Sequence, residues 1–411
     1  MAAGLTIVSL AIKNLSRART RTWTTILAMA LAGGVMIFYA SLLNGWLAAM
    51  EKNAVAMELG EFQLSAPGYR ADPDIYTTIP QPAAVLAQLR QAGFLAAPRL
   101  YGSGLAAAGS SSTGVQLRGV ALDAEPEVTL LHRHVLEGAW LADDDPAGVV
   151  IGRKLARTLG VGVGGELVVV AQAADGAMAN QLFRVRGILR SVSEGVDRSG
   201  LFLPAASFRE LMSLPDGVQL IVARRADASE PLAVASARLA ASFPQLESRD
   251  WRQLQPVLAR LLDLTNVSLV IMLLITYAAV AILTLNAMLM SVFERIPEFG
   301  VMKAIGLTPG ALFGLIVCES MAQVSIAALL AVAFGLPLSF YCASHPIDFS
   351  GMLATSSTIA GIAIEAKWYC VVTPASVLTP LLVLYLVAGI AILYPAAKAA
   401  LIRPVTAIHH R

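Results

Sequence analysis

Four apolar runs divide the chain. Residues 23–50, 266–293 and 374–396 carry no charged side chain, and residues 310–343 carry only Glu319. Each is long enough for a helix to cross the hydrocarbon core, which takes about 20 apolar residues. No water is available there to satisfy backbone groups, so the runs predict four transmembrane helices. Between the first and second runs the pattern changes. Residues 114–122, 166–172 and 183–189 alternate apolar and polar, predicting strands. Residues 82–93, 151–160 and 231–243 repeat with the helical period. The expected fold is thus a membrane protein with four transmembrane α-helices and a large α+β extracytoplasmic domain, 51–248, inserted between helices 1 and 2. It is too large to be a mere loop. Residues 249–265 are amphipathic and run straight into the second span, which predicts a helical stalk.

Charge sets the expected orientation. Lys13, Arg17, Arg19 and Arg21 precede the first span, Arg295 and Lys303 lie between the second and third, and Lys398, Arg403 and Arg411 follow the fourth. Basic residues favour the cytoplasmic side, so both termini are expected in the cytoplasm. Residues 1–22 read as an amphipathic helix on that surface, 397–411 as a tail, and 344–373 as an external loop. The first span lacks a clear A-x-A site and is too long for a signal-peptide core, so it reads as an uncleaved anchor. Composition agrees: 56% of residues are hydrophobic and 14% charged, against about 25% charged in soluble domains. With 30 Lys+Arg against 28 Asp+Glu, the chain has no electrostatic footprint for nucleic acid.

Most of the recognisable chemistry dissolves on inspection. Gly160, Gly162 and Gly165 satisfy G-x-G-x-x-G, but a helix is expected before them and a strand after, the reverse of a dinucleotide site. His132 and His134 would share one strand face, yet two histidines without a third ligand make a poor metal site. Asp143, Asp144 and Asp145 precede Pro146 as a solvated turn. The three cysteines form no CxxC pair. Cys342 and Cys370 lie at either end of the external loop, so a disulfide stays open beside the simpler reading of small apolar packing residues. No catalytic constellation or metal set emerges.

The polar segment 294–309 is different. Pro297 suits the first turn of a new helix, Glu298 and Lys303 match its dipole, and Gly306 and Pro309 end it. Spacing alone fits a plain interfacial connector equally well. However, ERIPEFGVMKAIG (294–306) resembles the E-R-x-x-E-x-G-x-x-(R/K)-A-(I/L)-G signature of the FtsX-like, MacB-type ABC transporter permeases. LAIKNLSRARTRTWTTIL (10–27), GVVIGRKLARTLGVGVGGELVVV (148–170) and YPAAKAALIRPVTAIHH (394–410) resemble further stretches of that family, in its order. The layout is similar to that of the lipoprotein-releasing permeases LolC and LolE.

The resemblance implies that 294–309 is a coupling helix docking on a cytoplasmic ABC ATPase dimer through Glu294, Arg295, Glu298, Phe299, Gly300, Met302, Lys303 and Gly306. The chain has no G-x-x-x-x-G-K-(S/T) motif, so no cofactor is expected on it, and ATP with Mg would be bound by the partner. A second permease copy, membrane lipids and a periplasmic adaptor or lipoprotein are the other implied partners. The implied function is ATP-driven export or extraction of lipid, lipoprotein or hydrophobic cargo. The alternative is mechanotransmission, as in FtsX itself, which regulates an extracytoplasmic partner such as a cell-wall hydrolase. Glu319 lies ten residues into the third span, where an unpaired charge costs at least ~2.5 kcal/mol. Two readings stay open for it: a contact that rearranges during a working cycle, and a static interhelical bond.

Overall fold

The computed structural model describes residues 19–349 except 228, together with 358–359, 362–363 and 367–402. The expectations for 1–18, for most of 350–366 and for 403–411 lie outside the described residues.

The first described element is α1 (Arg19–Ala54), which ends in a π-helical turn, Val55–Leu59. There follow β1 (Phe62–Ser65), α2 (Pro82–Gln91), β2 (Phe94–Ala108), β3 (Ser111–Val120), α3 (Glu125–Val128), β4 (Val135–Gly138), β5 (Gly148–Ile151) and α4 (Arg153–Leu159). Next come β6 (Glu166–Gln172), β7 (Met178–Leu189), α5 (Glu194–Ser199), β8 (Gly200–Pro204), α6 (Ala205–Leu211), β9 (Leu220–Arg225), α7 (Leu232–Ser242) and β10 (Glu247–Asp250). A single turn, α8 (Trp251–Leu254), precedes α9 (Pro256–Glu294), α10 (Ile296–Ala304), α11 (Pro309–Ser344) and α12 (Pro374–Leu401).

The chain divides into two compact units. One, from Ala49 to Leu261, is built on a ten-stranded sheet in the order β10-β1-β9-β2-β3-β8-β5-β7-β4. β6 pairs with both β2 and β7, so β2, β3, β8, β5, β7 and β6 close into a ring. Only β3–β8 and β5–β7 are parallel pairs. β2 can serve both halves because it is fifteen residues long: 94–99 pair with β9, and 104–107 with β6. Leu117, Val149, Ile151, Leu167, Val169, Phe183, Val185, Leu201 and Leu203 belong to the core cluster. Burying side chains of this kind supplies roughly 1.5–3 kcal/mol each. The strand and helix expectations overlap β3, β6, β7, α2, α4 and α7, most running one or two residues beyond an observed end. Gly160 adopts φ +69 as the cap of α4, with β6 following it, so the three glycines serve a helix end and a turn. His132 lies in a 3-10 turn, Leu131–Arg133, and His134 caps it, rather than alternating along a strand.

Two expected boundaries shift. Residues 249–265 are not one helical stalk, because Asp250 still belongs to β10, α8 ends at Leu254, and the long helix starts at Pro256. Proline has no N–H to lose at a helix start, so it restarts the helix there. A cut at 248 also passes through β10, whose Asp250 pairs with Phe62 of β1. We therefore expect residues 49–254 to fold alone and unfold cooperatively, since a core of this size supports itself. Thermal melting followed by circular dichroism checks this, and a fragment without a transition would refute it.

The second unit comprises 19–48, 262–349 and 367–402 among the described residues. Four helices in the described chain are long and apolar enough to cross a membrane: Thr22–Leu59, Pro256–Glu294, Pro309–Ser344 and Pro374–Leu401. Their shared core includes Ile26, Met29, Met36, Leu273, Tyr277, Val324, Leu384 and Ile392.

Candidate functional site

The connector between α9 and α11 is built by local chemistry. Pro297 occupies the first turn of α10, Glu298 lies in that turn, and Lys303 lies in the last. Gly306 has φ +109, a left-handed value that disfavours any residue with a Cβ. Its N–H bonds to the Lys303 carbonyl at 3.1 Å and the Leu307 N–H to the Met302 carbonyl at 3.0 Å. This double bond pattern is the Schellman stop. The next helix is capped by Thr308, whose hydroxyl accepts from the Ala311 N–H.

One face of α10 packs inward. Ile296, Phe299 and Gly300 are buried, and Met302 is packed against the same core as Val292, Leu312, Leu315 and Ala399. Gly300 and Phe299, expected to meet a partner, are therefore covered by the chain itself. The other face is open. Pro297, Glu298 and Ala304 are exposed, Val301 is 49% exposed and Ile305 82%. Spacings of three and four residues put these side chains on one stripe, with Glu294 one turn before it in chain order.

Polar bonds brace the helix to its neighbours. Arg295 Nη1 donates to both carboxylate oxygens of Glu319, at 3.1 and 3.2 Å, and Arg295 Nε reaches Glu298 at 3.2 Å. The Arg295 guanidinium also lies 5.3 Å from the Phe299 ring centroid. Glu319 is thus ion-paired within its own chain, which offsets the cost of placing a carboxylate on an apolar helix. Lys303 Nζ donates to the Ala400 and Ile402 carbonyls at 2.6 and 2.7 Å, capping the negative end of α12. Lys398 Nζ sits 4.7 Å from the Phe293 ring centroid. Charge-assisted bonds of this kind contribute roughly 1.5–3 kcal/mol each. Displacing α10 must break them or carry the facing turns of α11 and α12 with it.

A second constellation, within the Ala49–Leu261 unit, was not anticipated. The π-helical turn brings Glu58 to Arg118 Nη1 at 2.5 Å and to the Ser193 hydroxyl at 2.7 Å. Arg99 donates to the Glu58 carbonyl and, through Nε and Nη2, to both oxygens of Glu125 at 3.1 and 2.5 Å. The Thr129 hydroxyl donates to Glu125 as well. Arg99 is 1% exposed and Glu125 0%. Burial by itself would raise the Glu58 carboxyl, but Arg118 and the Ser193 hydroxyl hold it below the ordinary carboxylate range. Glu125 is lowered in the same way by Arg99 and Thr129. Two guanidiniums and two carboxylates compensate one another, and π-turns recur where a helix is deformed for a purpose. Here the turn ties the end of α1 to β2, β3 and α3. The available signal was weak: Arg99 interrupts an apolar run, while Arg118 falls on the polar phase of a strand that alternation predicts to face water. His132, also near Glu125, is lowered by burial and by Arg133. Among the described residues no three His, Cys, Asp or Glu side chains converge on a common point.

Comparison with known proteins bears on both units. Residues 22–241 match the MacB-like periplasmic core domain, and residues 270–404 match the FtsX-like permease C-terminal domain. Among solved structures, the periplasmic region of MacB from Actinobacillus actinomycetemcomitans is similar, with 11% identity, 51% of this chain and 95% of that one covered, and a TM-score of 0.37. The extracellular domain of the ABC-type transporter YknZ from Gram-positive bacteria shows 14% identity, with 46% and 98% covered and a TM-score of 0.33. No curated protein sequence matches the chain.

Proposed function

Because this chain belongs to the FtsX/MacB-type family of ABC transporter permeases, we propose that it is the membrane subunit of a machine driven by a separate cytoplasmic ATPase dimer. Permeases of this family are not themselves catalytic. ATP and Mg would be bound by the partner, and a second permease copy would complete the assembly. The chain would cross a bacterial inner membrane four times, with both termini in the cytoplasm and the 49–261 unit outside. Its cargo would be lipid, lipoprotein or another hydrophobic molecule, handled by the external domain rather than passed through an aqueous pore.

The observation that carries this reading is the two-faced α10. Its inward face is locked into the helical core and braced to α11 and α12, while its outward stripe leaves Val301 and Ile305 exposed among the described residues. Exposed apolar side chains rimmed by charge mark a docking surface. Movement of a docked ATPase would then pull on Arg295–Glu319 and Lys303–Ala400 together. In this reading the movement would be relayed along the chain to the 49–261 unit.

The test is ATP hydrolysis by the complex purified from native membranes. A chain that purifies from mild detergent without any ATPase, and stimulates none on reconstitution, would overturn the proposal. Within the active complex, Glu319→Gln is expected to leave expression unchanged and lower cargo-stimulated turnover several-fold, since it weakens the Arg295 pair. Exchanging the charges, with Arg295→Glu and Glu319→Arg together, should recover part of the loss. Turnover unchanged in Glu319→Gln would make the pair a static brace. Turnover that responds to a protein partner but never to lipid or lipoprotein would favour mechanotransmission over transport.

A further inference from the structure

The segment leading into α12 is laced to α1 and to the stretch that follows α11. The Val371 N–H donates to the Ser41 carbonyl of α1 at 2.9 Å. Asn44 Nδ2 donates to the Thr373 hydroxyl at 3.2 Å, and the Ser41 hydroxyl to that of Ser376 at 3.1 Å. A Cβ on Gly45 would lie 1.8 Å from the Tyr369 carbonyl oxygen, so only glycine allows this approach. The Trp46 and Trp368 rings stand 5.9 Å apart. On the other side, Ile347–Asp348, just beyond α11, pairs antiparallel with Lys367–Trp368.

Two cysteines meet in this node. Cys342, in the last turn of α11, and Cys370 are each 3% exposed. Cys342 Sγ lies 3.9 Å from the Trp368 carbonyl oxygen, and the two thiols are near enough to influence one another electrostatically. Both are free thiols in this structure. The remaining cysteine, Cys318, lies beside Glu319 near the opposite end of α11. Small buried thiols alone need no partner. A buried pair, brought together where Ile347–Asp348 pairs with Lys367–Trp368 between the end of α11 and the entry of α12, is a different matter.

We propose that Cys342 and Cys370 are joined by a disulfide in the mature protein, stapling the end of α11 to the entry of α12. This rests on the topology proposed above, which places these helix ends in an oxidising compartment. As the S–S bond forms, the two thiols give up two protons and two electrons. The acceptor is the disulfide of an extracytoplasmic dithiol oxidase, which leaves as a dithiol carrying both. Burial, with Cys342 adding to it, pushes the Cys370 thiol up to about 12. The packed pair therefore supplies little of the thiolate that exchange requires. Oxidation then precedes closure of the node, and the finished bond is shielded from reductant.

The test uses the full-length chain in its own membranes, quenched in acid. Free thiols are blocked with N-ethylmaleimide under denaturing conditions, and the chain is then reduced and labelled with polyethylene-glycol maleimide. The parent should gain two labels, and only after reduction. Cys318→Ser should also gain two, whereas Cys342→Ser and Cys370→Ser should gain none. A parent that gains no label after reduction overturns the disulfide, whether or not the serine variants fold. A parallel arm keeps the topology separate. Lys367→Cys, in a chain whose three native cysteines are serine, is exposed to a membrane-impermeant maleimide in intact spheroplasts. Labelling there together with an unprotected native pair rejects the disulfide alone. Absence of labelling there together with an unprotected pair rejects the disulfide and the proposed topology with it.

Discussion

Removing the Glu125 carboxylate is expected to destabilise the external unit by about 3–5 kcal/mol, because Arg99 would be left charged and buried without its partner. Glu125 is 0% exposed and Arg99 1%, so water cannot replace the lost bonds. Urea unfolding of the 49–254 fragment at neutral pH measures the effect for Glu125→Ala. The paired replacement Arg99→Met with Glu125→Leu should recover most of the loss, since an apolar pair of similar volume often equals a buried ion pair. A Glu125→Ala variant within 1 kcal/mol of the parent would show that the network is not structural.

The same network sets an acid limit. The Glu58 and Glu125 carboxyls are both held below their ordinary range in the folded unit. Their contribution is therefore fully present above the unfolded carboxyl value of about 4.3 and is lost as pH falls through the lower folded values. The parent fragment should lose stability steeply below about pH 4. The Arg99→Met, Glu125→Leu fragment should lose it with a shallower slope, because only Glu58 remains to titrate in the network.

The second large effect belongs to α10. Val301→Glu and Ile305→Glu place charge on the open stripe without touching the buried face, so each should reduce recovery of the partner ATPase at least tenfold. Losing an apolar contact at the centre of an interface costs about 2 kcal/mol or more, which is that factor or greater. The thermal midpoint of the chain in detergent should stay the same, because both side chains face away from its core. Gly300→Trp is expected to behave oppositely and lower the midpoint, since Gly300 is buried against the chain's own helices. Co-purification of Ile305→Glu at parental yield would remove the docking role from the stripe.

Much of this architecture is written locally. Each membrane-length helix follows from a run of apolar residues, because the cost of exposing backbone in hydrocarbon is settled residue by residue. α10 is equally local: Pro297 starts it, Glu298 and Lys303 complement its dipole, and Gly306 stops it. The strands of the external unit were legible as alternating segments such as 166–172. Their closure into a ring was not, since β6 joins β2 and β7 by backbone bonds that any sequence can make. Only the tertiary structure decided which face of α10 is free. Phe299 shares its buried cluster with Leu312, Leu315 and Ala399, which lie in other helices. The partners of the charges were likewise hidden, because Arg295 and Glu319, or Glu58 and Arg118, are brought together by packing and share no periodicity along the chain. Arg118 alternates as an outward residue and is buried all the same, because α5 and the π-helical turn cover that face of β3. Secondary structure depends on the residue and its near neighbours, whereas burial and charge pairing depend on which distant segments share the space around it.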